Sequence, residues 1–188
     1  MTSTENQNRR AAGENGAGDF DFLVGEWDGI QRRRKAWLAD CDEWYEMKSV
    51  TRCWSVFGGS GNIDEVHFPG QGFTGLTIRL RDVATGDWSI FWANSRDGIL
   101  GVPPVTGRFE NGVGLFYADE VLDGRAIRVR FTWSHITADA ARWEQAFSPD
   151  GGETWEANWT AEFTRRPAAG RQSARLTSEG AAGKLTAT

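Results

Sequence analysis

Between residues 88 and 163 the chain alternates apolar and polar side chains with period two. Trp88, Ile90 and Trp92 fall on one side of an extended chain, against Ser89, Phe91 and Ala93. Ile127, Val129, Phe131 and Trp133 oppose Arg128, Arg130, Thr132 and Ser134, and Trp155, Ala157, Trp159, Ala161 and Phe163 oppose Glu156, Asn158, Thr160 and Glu162. Such alternation marks half-buried strands, and helical spacing never persists beyond about two turns. Turn signals punctuate the pattern at Thr85-Gly86, Asp97-Gly98, Asn111-Gly112, Asp123-Gly124, residues 137–139 and Asp150-Gly151-Gly152. Asn-Gly and Asp-Gly supply the positive φ angles of tight hairpins, so consecutive strands are expected to be antiparallel neighbours. The pattern predicts a short helical turn at 19–23 and strands at 24–35, 42–56, 62–68, 73–81, 88–94, 105–110, 115–121, 125–135, 141–147 and 154–165. Ten strands in meander order accumulate twist and leave two open edges, and closure resolves both. The expected fold is all-β, a single up-and-down antiparallel β-barrel of about ten strands with a short N-terminal helical turn.

The ends depart from this pattern. Residues 1–17 are polar and rich in Gly, Ala and Asn, and residues 167–188 contain no aromatic side chain. Both are expected to be disordered tails, because they carry too little apolar surface to offset the entropy of ordering. The barrel domain is placed at 18–166. No apolar run approaches the ~18 residues of a membrane-spanning helix, and the N-terminus lacks the apolar stretch of a secretory signal.

Charge and cysteine content narrow the setting. The 188 residues include 21 Lys+Arg and 26 Asp+Glu, a net charge of −5, which argues against a nucleic-acid partner. Arg32-Arg33-Arg34-Lys35 would split between the two faces of a strand and so forms no single basic patch. Cys41 and Cys53 are twelve residues apart along an extended segment, too far for a disulfide, and are read as free thiols of a cytoplasmic protein.

The segment Phe20-Asp21-Phe22-Leu23-Val24-Gly25-Glu26-Trp27 reads as a short helix leading into Gly-x-Trp at the first strand. It resembles the calycin superfamily: lipocalins, fatty-acid-binding proteins and bacterial lipocalin-like proteins of unknown function. The resemblance implies that Trp27 plugs the closed end of a barrel, that a basic residue near the last strand, Arg165 or Arg166, packs over it, and that the barrel holds a cavity. The chain is also similar to the nitrobindin branch, which would imply haem held through a histidine. The last strand has no histidine, and the chain's two are His67 and His135. No cofactor is expected, and two histidines 68 positions apart provide no metal-ligand set.

Ten tryptophans are the dominant compositional feature. Trp88/Trp92 and Trp155/Trp159 repeat at i, i+4 on one strand face, and the turns before Trp88 and Trp155 echo each other (Thr85-Gly86-Asp87-Trp88 and Gly152-Glu153-Thr154-Trp155). The paired indoles are read three ways: as the lining of a cavity that stacks a flat or apolar ligand, as a filled core, or as the interface of a homodimer. The expected lining comprises Trp88, Trp92, Phe131, Trp133, Trp143, Trp155 and Trp159. Arg79, Arg128 and Arg130 join them if the interior is polar, where they would clamp an anionic group. With Arg81 they pair at i, i+2 on two strands, and on an outer face they would simply be solvated.

Residues 62–69 carry the densest candidate chemistry. On a strand, Glu65 and His67 share a side, and a carboxylate beside an imidazole fits a general-base pair. Asp64 and Val66 face the other way. The bland reading is a solvated rim. Residues 148–155 resemble the Asp-box, Ser-x-Asp-x-Gly-x-Thr-Trp, a structural hairpin motif of sialidase-type propellers. The leading functional expectation is binding of a small apolar or aromatic molecule inside the barrel. The alternative is an isomerase, cyclase or hydrolase using Glu65 and His67, with Tyr117 or His135 as secondary candidates.

Overall fold

Two of the expected hairpins show why the chain meanders. At Asn111-Gly112 and Asp123-Gly124 both residues of each turn have positive φ (51° and 79°, 49° and 79°), the twist that matches flanking strands. In the computed structural model, which describes residues 16–167, a 3-10 turn at Asp21–Leu23 leads into ten strands: β1 (Gly25–Arg34), β2 (Trp44–Val56), β3 (Gly61–Phe68), β4 (Phe73–Arg81), β5 (Trp88–Asn94), β6 (Val105–Glu110), β7 (Val113–Leu122), β8 (Arg125–Ser134), β9 (Ala140–Ser148) and β10 (Glu156–Arg165). Each pairs antiparallel with the next, and β1 pairs with β10 from Trp27↔Arg165 to Arg33↔Trp159, closing the barrel. The architecture is the expected all-β, up-and-down antiparallel barrel. The sequence segments expected to be tails lie almost wholly outside the described residues.

Alternation assigns each strand an inner and an outer face. Inward positions include Trp27 and Gln31 on β1, Ser49 and Thr51 on β2, Asp64 and Val66 on β3, and Thr77 and Arg79 on β4. Across the barrel, Trp88, Ile90, Phe116, Val129, Trp133 and Phe163 are buried too.

One end is stoppered. Phe20, Leu23 and Trp27 are at most 1% exposed, and Phe20 meets Trp88, Phe109 and Phe116 at ring-centroid distances of 5.0, 4.9 and 5.6 Å. Arg165, rather than Arg166, covers Trp27, with its guanidinium 4.1 Å from the ring centroid; Arg166 pairs with Asp28 on the outside. At the opposite end the β1–β2 connection folds over the barrel. Trp37 meets Phe147 edge-on at 5.5 Å, and the Leu38 amide donates to Glu156 Oε1 at 2.9 Å.

One face assignment is corrected. Trp155 does not share a side with Trp159, because a bulge at Asn158 shifts the β10 register between Ala157↔Ala146 and Trp159↔Gln145. The extra residue inverts the alternation. Trp155 lies before the strand, against the Arg130 guanidinium (4.4 Å) and Tyr117 (6.1 Å). The echo between the turns before Trp88 and Trp155 is therefore one of sequence only: Trp88 is in the stoppered end, Trp155 at the other.

Candidate functional site

The stopper does not fill the tube. Above it lies a cavity of about 630 Å³, within the roughly 300–1,000 Å³ of small-molecule sites. Its aromatic lining is Phe68, Trp92, Phe131, Trp133, Trp143, Trp159 and Phe163. These rings brace one another: Trp159 lies edge-on to Trp92 at 6.3 Å and to Trp143 at 5.7 Å, and Trp133 stacks on Phe163 at 5.7 Å. The Trp159 indole N–H donates to Gln31 Oε1 (2.7 Å), and Gln31 Nε2 donates to Ser49 Oγ (3.0 Å). The ring plane of Trp159 is thus fixed by a hydrogen bond as well as by packing.

Close packing of Trp92 depends on the neighbouring strand. Gly75 lies opposite Asn94, two residues along β5, and a Cβ there would overlap the Trp92 ring. Glycine at this point of β4 makes room for the indole.

Opposite the rings lies a polar wall. Asp64 and Arg79 form an ion pair, with side chains 2% and 5% exposed. Arg79 Nη1 also donates to Asn62 Oδ1 at 3.0 Å, and Asn62 Nδ2 donates to the Phe20 carbonyl at 3.5 Å, tying the pair to the stopper. The guanidinium lies 5.2 Å from the Phe20 ring centroid and 5.6 Å from that of Trp133. Thr51, Thr77, Gln31 and Gln145 complete the polar lining. A buried ion pair of this kind contributes little net stability over an apolar pair but makes loss of one partner costly.

The portal lies between the β5–β6 connection and the upper half of β7. Pairing between β5 and β6 covers only Trp88↔Gly107 to Ile90↔Val105, so the two strands part above Ile90. Gly101, Val102 and Pro103 line one side of the gap, and Asp119, Glu120 and Val121 the other. Partial burial there raises the Glu120 carboxyl above its ordinary range.

The expected lining residues divide. Trp92, Phe131, Trp133, Trp143, Trp159 and Arg79 line the cavity; Trp88 is fully buried in the stopper, where its N–H donates to Asp19 Oδ2 at 3.3 Å. Arg128 and Arg130 are outside, lying over the Tyr117 ring (5.0 Å) and the Trp155 ring (4.4 Å) respectively. Glu65 and His67 do share a face, and it is the outer one: both are exposed, and His67 Nδ1 lies 3.4 Å from Thr74 Oγ1. Tyr117 and His135 also lie outside the cavity, so these four candidates are not gathered into it. The reason is strand parity: whatever puts Asp64 and Val66 inward turns Glu65 and His67 outward. Asp64, Asn62, Thr51 and Gln31 are the interior polar residues that motif reasoning passed over. The signal available in the sequence was that Asp64 shares a side with Val66; parity does not say which side turns inward.

Haem does not fit this cavity. Among the described residues, its wall carries no His, Cys, Met or Tyr, the side chains that serve as axial ligands. Among the described residues, no group of three or more His, Cys, Asp or Glu is placed to hold a metal ion. No helix among them is long and apolar enough to cross a membrane.

Residues 148–155 form the hairpin that the Asp-box resemblance implies. Asp150 Oδ1 accepts from the amides of Glu153 (3.1 Å) and Thr154 (2.9 Å), and Ser148 Oγ accepts from the Gly152 amide at 2.8 Å. Hydrogen bonds from Ser148 and Thr154 hold the Asp150 carboxyl well below the usual carboxylate range.

No protein-family model matches the sequence, and no curated protein matches it. Among solved structures, the chain is similar to the S-type phycobiliprotein lyase CPES from Guillardia theta, with 12% identity, 79% of this chain and 91% of that chain covered, and a TM-score of 0.49.

Proposed function

We propose that this protein binds a small, largely apolar or aromatic molecule inside the barrel. The observation that carries the reading is the cavity of about 630 Å³, bordered by aromatic rings of which Trp92, Trp159, Trp143 and Phe131 touch in series and Trp133 stacks on Phe163, and reached through a gap between β5 and β7. A solid core would fill that space with side chains; here the aromatic faces border open volume instead. Stacking on indole faces favours flat ligands, and burial of about 200 Å² of apolar surface yields roughly 5 kcal/mol before the costs of binding. The Trp27–Arg165 pair supports kinship with lipocalin-like proteins, and the two free thiols, Cys41 and Cys53, support a reducing, cytoplasmic setting.

Titration with Nile red, an uncharged hydrophobic fluorophore, tests the reading. The expected result is a saturable blue shift of dye emission with quenching of tryptophan fluorescence. Emission of dye and protein both unchanged, for Nile red and for smaller aromatic probes alike, would end it.

A further inference from the structure

The polar wall is unfinished. Among the described residues, Thr51 Oγ1, Asp64 Oδ1, Arg79 Nε and Trp133 Nε1 are buried without a hydrogen-bond partner, and all four residues line the cavity at no more than 4% exposure. They are neighbours in the sheet or across the barrel. Thr51 pairs with Val66, one inward position along β3 from Asp64, and Asn62, which also receives Arg79, pairs with Arg79 across β3–β4. A buried polar atom left unmet is costly, and one without a protein partner is ordinarily met by a water or a ligand group. The set comprises two donors (Arg79 Nε, Trp133 Nε1), one acceptor (Asp64 Oδ1) and a hydroxyl that serves as either.

Charge decides what can complete it. Asp64 and Arg79 neutralise each other, so the wall presents no uncompensated cation to an anion and no uncompensated anion to a cation. The other charged residues lining the cavity, Asp119 and Glu120, are both acidic and stand at the portal. Arg33, the inward cation nearest the mouth, has its guanidinium between the Trp37 and Trp159 rings, 4.5 and 4.7 Å from their centroids, and does not line the cavity. A carboxylate entering would lose its hydration without gaining a free counter-charge. An uncharged group bearing both a donor and an acceptor meets the orphaned atoms without that penalty.

We propose that this wall is a head-group subsite, and that the ligand joins an apolar or aromatic body to an uncharged donor–acceptor group of the carboxamide or lactam class. This rests on the binding function proposed above. The test is displacement of Nile red from the full chain by four probes with the same two-ring body: 1-naphthaleneacetamide, 1-naphthaleneacetate, 2-(1-naphthyl)ethylammonium and 1-ethylnaphthalene. The amide is expected to bind at least tenfold more tightly than each of the others. Thr51→Val should cut the amide's advantage over 1-ethylnaphthalene severalfold. Asp64→Asn, which frees the Arg79 charge, should turn the preference toward the carboxylate. A carboxylate or ammonium probe bound within threefold of the amide overturns the inference, as does an amide affinity that Thr51→Val leaves unchanged. If Asp64→Asn does not fold, the Thr51→Val comparison decides alone. Nile red that binds but yields to none of the four probes overturns the subsite and leaves the binding function standing; Nile red that does not bind removes the binding function itself.

Discussion

Arg165 caps Trp27. Its guanidinium sits 4.1 Å from the indole centroid and donates to the carbonyls of Val24, Phe22 and Ala138, joining the last strand, the 3-10 turn and the β8–β9 connection at one point. Removing the side chain forfeits a cation–π contact worth about 0.5–2 kcal/mol and leaves those carbonyls to water. Arg165→Ala is expected to lower unfolding free energy by about 2–3 kcal/mol in urea denaturation. Arg165→Lys should recover only part of it, because a lysine cannot reach three carbonyls from one planar group. A wild-type midpoint in Arg165→Ala would show that the cap contributes nothing.

The Asp64–Arg79 pair gives a sharper asymmetry. Each single replacement, Asp64→Leu or Arg79→Met, strands a buried charge and is expected to cost about 3–5 kcal/mol. The double replacement strands none, so its loss should be much smaller than the sum. A double-mutant cycle by chemical denaturation measures this directly, and additive losses would contradict the buried pairing.

Gly75 is expected to control the shape of the cavity. Any Cβ at this position meets the Trp92 ring, so Gly75→Val must push the indole toward the cavity or distort β4. The variant should be destabilised by about 1–3 kcal/mol and bind Nile red at least tenfold more weakly. Unchanged dye affinity would place the dye elsewhere.

Cys53 carries a pH signature. Burial pushes its thiol up to about 12 from an ordinary value of 9.0. A folded-state value above the unfolded one favours the native state fully below pH 9, and that contribution fades as pH rises toward 12. The stability difference between wild type and Cys53→Ala should therefore narrow across that window. At pH 8 a thiol reagent should label the partly exposed Cys41 quickly, and Cys53 only after unfolding. Rapid labelling of both thiols in the native protein would contradict the burial.

Asp150 runs the opposite way. Its carboxyl is held low by Ser148 and Thr154, so its contribution is present above the unfolded-state value of 3.8 and is lost as pH falls below it. Asp150→Ala should lower the denaturation midpoint at pH 7, and the gap from wild type should shrink steadily below pH 4. A gap that persists unchanged into acid would assign the effect to something other than the carboxylate.

Strand order, antiparallel pairing and closure were legible because they depend on local signals. Asn111-Gly112 and Asp123-Gly124 dictate tight turns whatever surrounds them, and the run from Ile127 to Trp133 states its inner face by alternation. Four of the ten expected strands differ from the observed ones by one residue at one or both ends, and Phe73–Arg81, Trp88–Asn94 and Val105–Glu110 coincide. The sequence by itself determined a two-faced ribbon and its hairpins; the stopper at Trp27 was implied by the resemblance of its Gly-x-Trp segment. Only the tertiary structure decided which face of that ribbon turned inward at β3, where Asp64 rather than Glu65 and His67 meets the cavity. It also decided where the alternation breaks, since the bulge at Asn158 that separates Trp155 from Trp159 answers to the register of β9. The physical reason is that parity is a property of one strand, whereas an ion pair, a bulge and an empty volume are properties of strands brought together by closure.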